Sequence, residues 1–233
     1  YFEKFFGPAA GPMGAYFTML DHRVRDTDVH TGTSYDIPLL YTAAVRKEAQ
    51  GLLDQAKKLA TTGDYAKRVE AFQQVFNYTD TFCVMMDSRA THQWPAAATA
   101  LKRFDELLAH LTTAYDVELV TKKYGGSYMK RFFRSCTEEG YERAVLKGTF
   151  LAGLADEWKF NLDIDGLGES LQWFSADLTG GNWMTLKTST SSWSNQGLRY
   201  YKNDGWYRQS IKVPAVEKDK KVFLWFGGVD END

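Results

Sequence analysis

Two cysteines and five prolines are few for a chain of 233 residues. So little cysteine excludes a disulfide-built scaffold and leaves open one bridge or two buried thiols at Cys83 and Cys136. Low proline and an ordinary charged fraction of 25% exclude collagen-like, low-complexity and disordered chains. No apolar run reaches the roughly 18 residues a spanning helix needs, so no membrane partner is expected. Excess charge is missing too: the net is −2 and evenly spread, which argues against a nucleic-acid partner. There is no signal-peptide pattern, and the first residue is Tyr1 rather than Met, so the chain reads as a piece of something longer.

What is present is a hydrophobic fraction of 44%, enough for one large domain or two small ones. Tryptophan divides the chain. Only Trp94 precedes Trp158, whereas Trp158, Trp173, Trp183, Trp193, Trp206 and Trp225 crowd the last third, and His22, His30, His92 and His110 all lie before them. Two compositions in one chain predict two domains.

Residues 1–155 read as helices. Met13, Phe17, Leu20 and Val24, with Tyr16 alongside, form one stripe whose start is kinked or doubled by Pro8 and Pro12. Asp26–Pro38 has no clear period and reads as a loop. Thr42 is a candidate N-cap for a stripe of Val45, Ala49, Leu52, Leu53, Ala56, Leu59 and Ala60. Gly63-Asp64 restarts the pattern as Tyr65, Val69, Phe72, Phe76, Thr79, Cys83 and Met86. Pro95 opens a third stripe of Leu101, Phe104, Leu108, Leu111 and Tyr115, and shorter helical pieces are expected near 128–135 and 138–148. Short connections favour an antiparallel bundle.

From Trp158 the period becomes two. Phe160, Leu162 and Ile164 alternate with Asn161, Asp163 and Asp165. Trp183–Lys187 and Trp206–Val213 are further strands, the latter entered by Asn203-Asp204-Gly205 and closed by Pro214. Val222-Phe223-Leu224-Trp225-Phe226 is apolar on both faces and predicts a central buried strand. The expected fold class is therefore α + β and multidomain: an all-α bundle over 1–155, then a β-sandwich of jelly-roll type over 156–233. That stretch holds only about five strands of ordinary length where a jelly roll needs about eight. The sandwich is expected to be incomplete.

Chemical motifs are sparse. Phosphate-loop and nucleophile-elbow patterns are absent, and Gly166-Leu167-Gly168 lacks a third glycine, with Leu171 in its place. The neighbours Asp105-Glu106 and Glu138-Glu139 point about 100° apart on helices and read as solvated faces rather than a catalytic pair. No catalytic residue and no cofactor is expected. Asp163, Asp165 and Glu169 around Gly166 could offer oxygens to Ca²⁺, although the later carboxylates of an EF-hand loop are missing. Lys122, Lys123, Lys130, Arg131 and Arg134 interleave with Tyr124, Tyr128, Phe132 and Phe133, which fits an amphipathic helix with both phenylalanines buried. Asn77-Tyr78-Thr79 matches a glycosylation sequon but sits mid-helix. Trp206, Trp225, Trp158 and Trp173 read as core, whereas Trp193, Tyr200 and Tyr201, with Asp204, lie in an irregular stretch where rings and polar groups could meet a sugar.

Two stretches resemble known families. Phe5-Phe6-Gly7-Pro8-Ala9-Ala10-Gly11-Pro12-Met13 with Tyr16-Phe17, then Leu52-Leu53-Asp54 and Arg68-Val69-Glu70, resembles the end of bacterial glycoside-hydrolase-like barrels of the α-glucuronidase type and the helices that follow them. These barrels belong to a domain-of-unknown-function family. Trp158-Lys159-Phe160, Trp173-Phe174, Asp177, Trp183, Asp204-Gly205-Trp206-Tyr207-Arg208, Val213-Pro214 and Val222 through Asp230-Glu231 are similar to the sugar-binding jelly roll of family 2 glycoside hydrolases and other galactose-binding-like domains. The resemblance implies a non-catalytic C-terminal region of a carbohydrate-processing protein. Its partners would be a polysaccharide or oligosaccharide and a barrel upstream in the same parent chain, in a secreted or periplasmic setting. The alternative is a scaffold for protein interaction that binds no glycan.

Overall fold

The computed structural model describes residues 1–29, 34–115 and 130–228, and the chain divides into two units, Tyr1–Thr149 and Phe150–Asp233. The break falls at 149/150, against the 155/156 read from the sequence.

In the first unit, α1 (Phe2–Phe6) ends at Gly7 with φ +52°, where a Cβ would stand 2.6 Å from the Tyr65 ring. A 3-10 turn over Gly7–Ala9 with Pro8 in its opening positions leads into α2 (Ala10–Arg25), so the helix starts twice. Pro12 sits in the first turn of α2, where a missing N–H costs no helical bond. Met13 and Tyr16 carry the buried face, while Val24, expected to extend the stripe, is exposed.

Between Asp26 and Pro38 the chain is not all loop. A turn at Ser34–Asp36 runs into α3 (Ile37–Leu40), because Arg23 of α2 satisfies carbonyls that so short a helix leaves open. Its Nη2 donates to Leu39 at 2.8 Å and its Nε to Leu40 at 3.2 Å. Thr42 caps α4 (Ala43–Leu59), accepting from the Val45 N–H at 3.4 Å, a bond worth about 1 kcal/mol.

Helix α5 (Gly63–Ala90) is the spine of this unit. Its first half, through Val69 and Phe76, belongs to a cluster with Phe6, Met13, Tyr16, Leu53 and Ala56. Its second half, through Phe82 and Met85, belongs to another with Leu101, Phe104 and Phe133. Serving two clusters rotates the buried stripe, which is why Phe82 and Met85 are inside rather than the expected Thr79 and Met86. Polar groups lock α4 to α5. The side-chain amides of Gln50 and Gln73 donate to each other at 3.1 and 2.9 Å, and Gln73 also donates to Asn77 Oδ1. Arg46, nearly buried, holds Asp80 at 2.9 Å and Asp87 at 2.7 Å and donates to the Tyr41 carbonyl.

Helix α6 (Trp94–Leu111) opens with Pro95 in its first turn and buries Ala97, Leu101, Phe104, Leu107 and Leu111. Helix α7 (Ser135–Tyr141) is continuous with wide turns at Lys130–Arg134 and Glu142–Leu146, so the two expected pieces run together. Gly140 lies where the Trp94 indole lands.

The second unit holds one antiparallel sheet of β1 (Glu157–Leu162), β2 (Met184–Lys187) and β3 (Gly205–Arg208), in the order β2-β1-β3. The alternation expected from Phe160 holds only to Leu162, where β1 ends: Ile164 is exposed and Asp163 is buried, because the Asp163 carboxylate is bonded to its loop and to Trp206. A second sheet is not found among the described residues. The strand expected to reach Val213 stops at Arg208, because beyond it the Gln209 side chain, not the ladder, donates to the Glu157 carbonyl. Val222–Phe226 is a correction: it is no strand, and Phe223 is 79% exposed. An apolar run becomes a buried strand only where a ladder and a facing layer meet it, and in this unit β1 already has both of its neighbours.

Candidate functional site

The register of the sheet sorts its side chains. Phe160 faces Tyr207 on one side and Met184 on the other, with Trp158 opposite Leu186, so these share one face. Phe160 and Leu186 are buried there. The Trp193 ring packs on Phe160 at 5.3 Å between centroids and donates its indole N–H to the Tyr207 hydroxyl. Gly205 is required beneath them, since a Cβ would lie 2.4 Å from Phe160 and 3.0 Å from Trp193. Tyr201 packs on Trp193 at 5.8 Å and its hydroxyl donates to the Asp204 carbonyl at 2.7 Å.

Of the residues expected to meet a sugar, Trp193, Tyr201 and Asp204 thus come together, with both rings half-buried over a small core. Tyr200 stands apart at 86% exposure, with the Arg199 guanidinium 5.8 Å from its ring.

The other face carries Lys159 opposite Arg208 and Thr185, and Asn161 opposite Trp206. A loop folds onto it, built around Asp163. One carboxylate oxygen accepts from the Leu167 N–H at 2.7 Å; the other accepts from the Gly168 N–H at 3.0 Å and the Trp206 indole at 2.8 Å. Burial of this carboxyl alone would raise its pKa. The hydrogen bonds from Trp206, Gly168, Leu167 and Gly166 outweigh it and hold the group below the usual Asp range. Gly168 must be glycine, because a Cβ would meet Trp206 Nε1 at 2.2 Å.

The loop delivers Trp173 to the centre of an aromatic group. Its ring lies 5.9 Å from Trp183 and 6.3 Å from Trp206, while Phe174, 63% exposed, lies 6.4 Å from Trp206. Arg208 Nη1 donates to the Trp173 carbonyl at 2.7 Å, and the guanidinium stands 5.5 Å from the centre of the Trp183 ring. Trp206, expected in the core, and Arg208, not among the expected site residues, carry one sequence signal: their i, i+2 spacing after the Asn203-Asp204-Gly205 turn, which sets both on one face. Trp173 and Trp183 carry none, because a loop closure that no periodicity encodes brings them there.

Two devices steady the margin. Gln196 accepts from the Lys187 N–H at 2.7 Å and donates to its carbonyl at 2.9 Å, so one side chain blunts the open edge of β2. Asp156 accepts from the Ser189 N–H at 2.7 Å and the Thr188 N–H at 3.1 Å, and from the hydroxyls of Ser189 and Thr190. Against a burial penalty, those hydroxyl and N–H donors lower its pKa.

Among the described residues no group of three or more His, Cys, Asp or Glu could hold a metal ion, so Asp163, Asp165 and Glu169 do not assemble one. Asp163 spends both oxygens on its own loop. The helical carboxylates pair with bases instead: Asp105 with Arg134, Glu106 with Arg103, Glu138 with Arg134 and Glu139 with Arg143. Cys83 and Cys136 are free, buried thiols. Phe133 is buried as expected but Phe132 is exposed, and 116–129, with Lys122, Lys123, Tyr124 and Tyr128, lie outside the described residues, as does His30. Comparison with protein-family models, with curated proteins and with solved structures finds no match.

Proposed function

We propose that the chain is a non-catalytic region of a carbohydrate-processing protein, in which the helical unit is a support and the β unit binds sugar. The observation that carries this is the ring group of Trp173, Trp183 and Trp206 with Arg208 set against it. A pyranose offers an apolar face that stacks on a flat ring, and hydroxyls that need fixed polar partners. Asn161, Thr185 and Lys159 supply such partners on the same face. The resemblance of Trp158 through Glu231 to galactose-binding-like domains agrees, and a secreted or periplasmic setting belongs to the same reading.

The test is a glycan array followed by calorimetry on the whole chain. Trp183→Ala abolishes the signal on this reading, whereas Tyr200→Ala, at an open position, leaves it. The reverse result would move the site to the loop of Trp193, Tyr200, Tyr201 and Asp204. No glycan signal at millimolar ligand would favour a protein-interaction scaffold, and hydrolysis of model glycosides by this chain would overturn the non-catalytic assignment.

A further inference from the structure

The ring-bearing face is also charged: Lys159, Lys187 and Arg208 lie on it with two acids, Glu157 and Asp163. Lys159 and Arg208 are direct cross-strand partners in the β1–β3 register, so their Cβ atoms sit about 5 Å apart on one face. Like charges placed opposite each other are destabilising. Neutral residues flank them on one side, where Thr185 is the other partner of Lys159 and Asn161 and Trp206 form the next pair; Glu157 and Lys187 face each other on the other side.

Both acids of this face already have partners. Asp163 is committed to Leu167, Gly168 and Trp206, and Glu157 stands opposite Lys187. Among the described residues, neither Lys159 nor Arg208 forms an ion pair.

We infer that this face takes an acidic sugar chain, one whose residues carry carboxylates. The inference rests on the sugar-binding reading above and names the class of sugar. Arg208 is already oriented by the Trp173 carbonyl and the Trp183 ring, and only Nη1 is spent on that carbonyl. Its remaining N–H groups can form a two-pronged contact with a carboxylate. Lys159, exposed beside it, adds a second cation. A uronic-acid residue has the matching shape: an apolar ring face for Trp183 or Trp173, and a carboxylate on the ring edge for the cation pair.

The experiment is calorimetry of the whole chain with a uronic-acid tetrasaccharide and with the same oligomer after reduction of its carboxyls to alcohols. The acidic form should bind about tenfold tighter or more, the size of one charge-assisted contact. Lys159→Gln should weaken binding of the acidic oligomer more than that of the reduced one, and so remove much of that preference. Because Lys159 is exposed, this variant keeps the test sound even where Arg208→Gln disturbs the loop, which circular dichroism would report.

Equal affinity for the two oligomers overturns the acidic-sugar inference and leaves sugar binding intact. Preference for the reduced form, or an acidic preference that survives both substitutions, does the same. Binding of neither oligomer, with no other glycan bound on the array, removes both readings together. A single-stranded oligonucleotide that binds as tightly as the uronic-acid oligomer also overturns the inference, since charge alone would then be recognised.

Discussion

Replacing glycine by alanine inside a helix ordinarily stabilises it, by about 1 kcal/mol, because the backbone has less freedom to lose. Two helical glycines of the first unit separate that effect from packing. At Gly51 in α4 nothing lies within 4 Å of the added methyl, so Gly51→Ala should gain about that amount. At Gly140 in α7 the same methyl would stand 2.1 Å from a carbon of the Trp94 ring and 2.5 and 2.6 Å from two others. Trp94 is 7% exposed and cannot swing into water, so α6 and α7 must part. Overpacking costs about 1–3 kcal/mol, and so close an approach belongs in the upper part of that range, at about 2–3 kcal/mol, above the helical gain. The net expectation for Gly140→Ala is a loss of about 1–2 kcal/mol. For a unit of this size that is a fall in Tm of about 3–6 °C, against a rise of about 2–4 °C for Gly51→Ala. Thermal unfolding followed by far-UV circular dichroism reads both. If Gly140→Ala rises in Tm alongside Gly51→Ala, the packing of α7 on Trp94 is wrong.

Acid should act on the β unit through Asp163. Its folded pKa is depressed, so its contribution is full above the ordinary Asp value of about 4 and fades as pH falls through the folded value. Asp163→Asn should make acid unfolding, read by tryptophan fluorescence, shallower; an unchanged profile would contradict the loop geometry. The remaining acid dependence belongs in part to Asp156, also depressed by its hydrogen bonds. Burial pushes the Cys83 thiol up to about 12 and raises that of Cys136 as well. Neither should react with a thiol reagent at pH 8 until the helical unit is unfolded, and rapid labelling of the native chain would contradict the burial of both.

The helices were the most legible part of the sequence, because their apolar spacing, the Thr42 cap and the Gly63 break are local signals. What went unseen followed from tertiary partners. Helix α3 exists because Arg23, from another helix, completes its carbonyl end. The stripe of α5 shifts to Phe82 and Met85 because a second cluster waits on that side. In the β unit the alternation of Phe160 and Leu162 located β1, but the apolar content of Val222–Phe226 said nothing about whether a ladder would be there to receive it. The site divides in the same way. Trp193, Tyr201 and Asp204 were gathered by proximity along the chain, whereas Trp173 and Trp183 meet Trp206 and Arg208 only through the loop that Asp163 organises.

The reciprocal amide pair of Gln50 and Gln73 makes the alignment of α4 on α5 a choice between discrete settings. Alanines and leucines along a helix interface look much alike one turn further on, and a slide of about 5.4 Å would cost them little. It would leave Gln73, 4% exposed, with donors and acceptors facing hydrocarbon, at about 1–3 kcal/mol. The pair therefore contributes less to how firmly the two helices hold than to which of several neighbouring alignments they adopt.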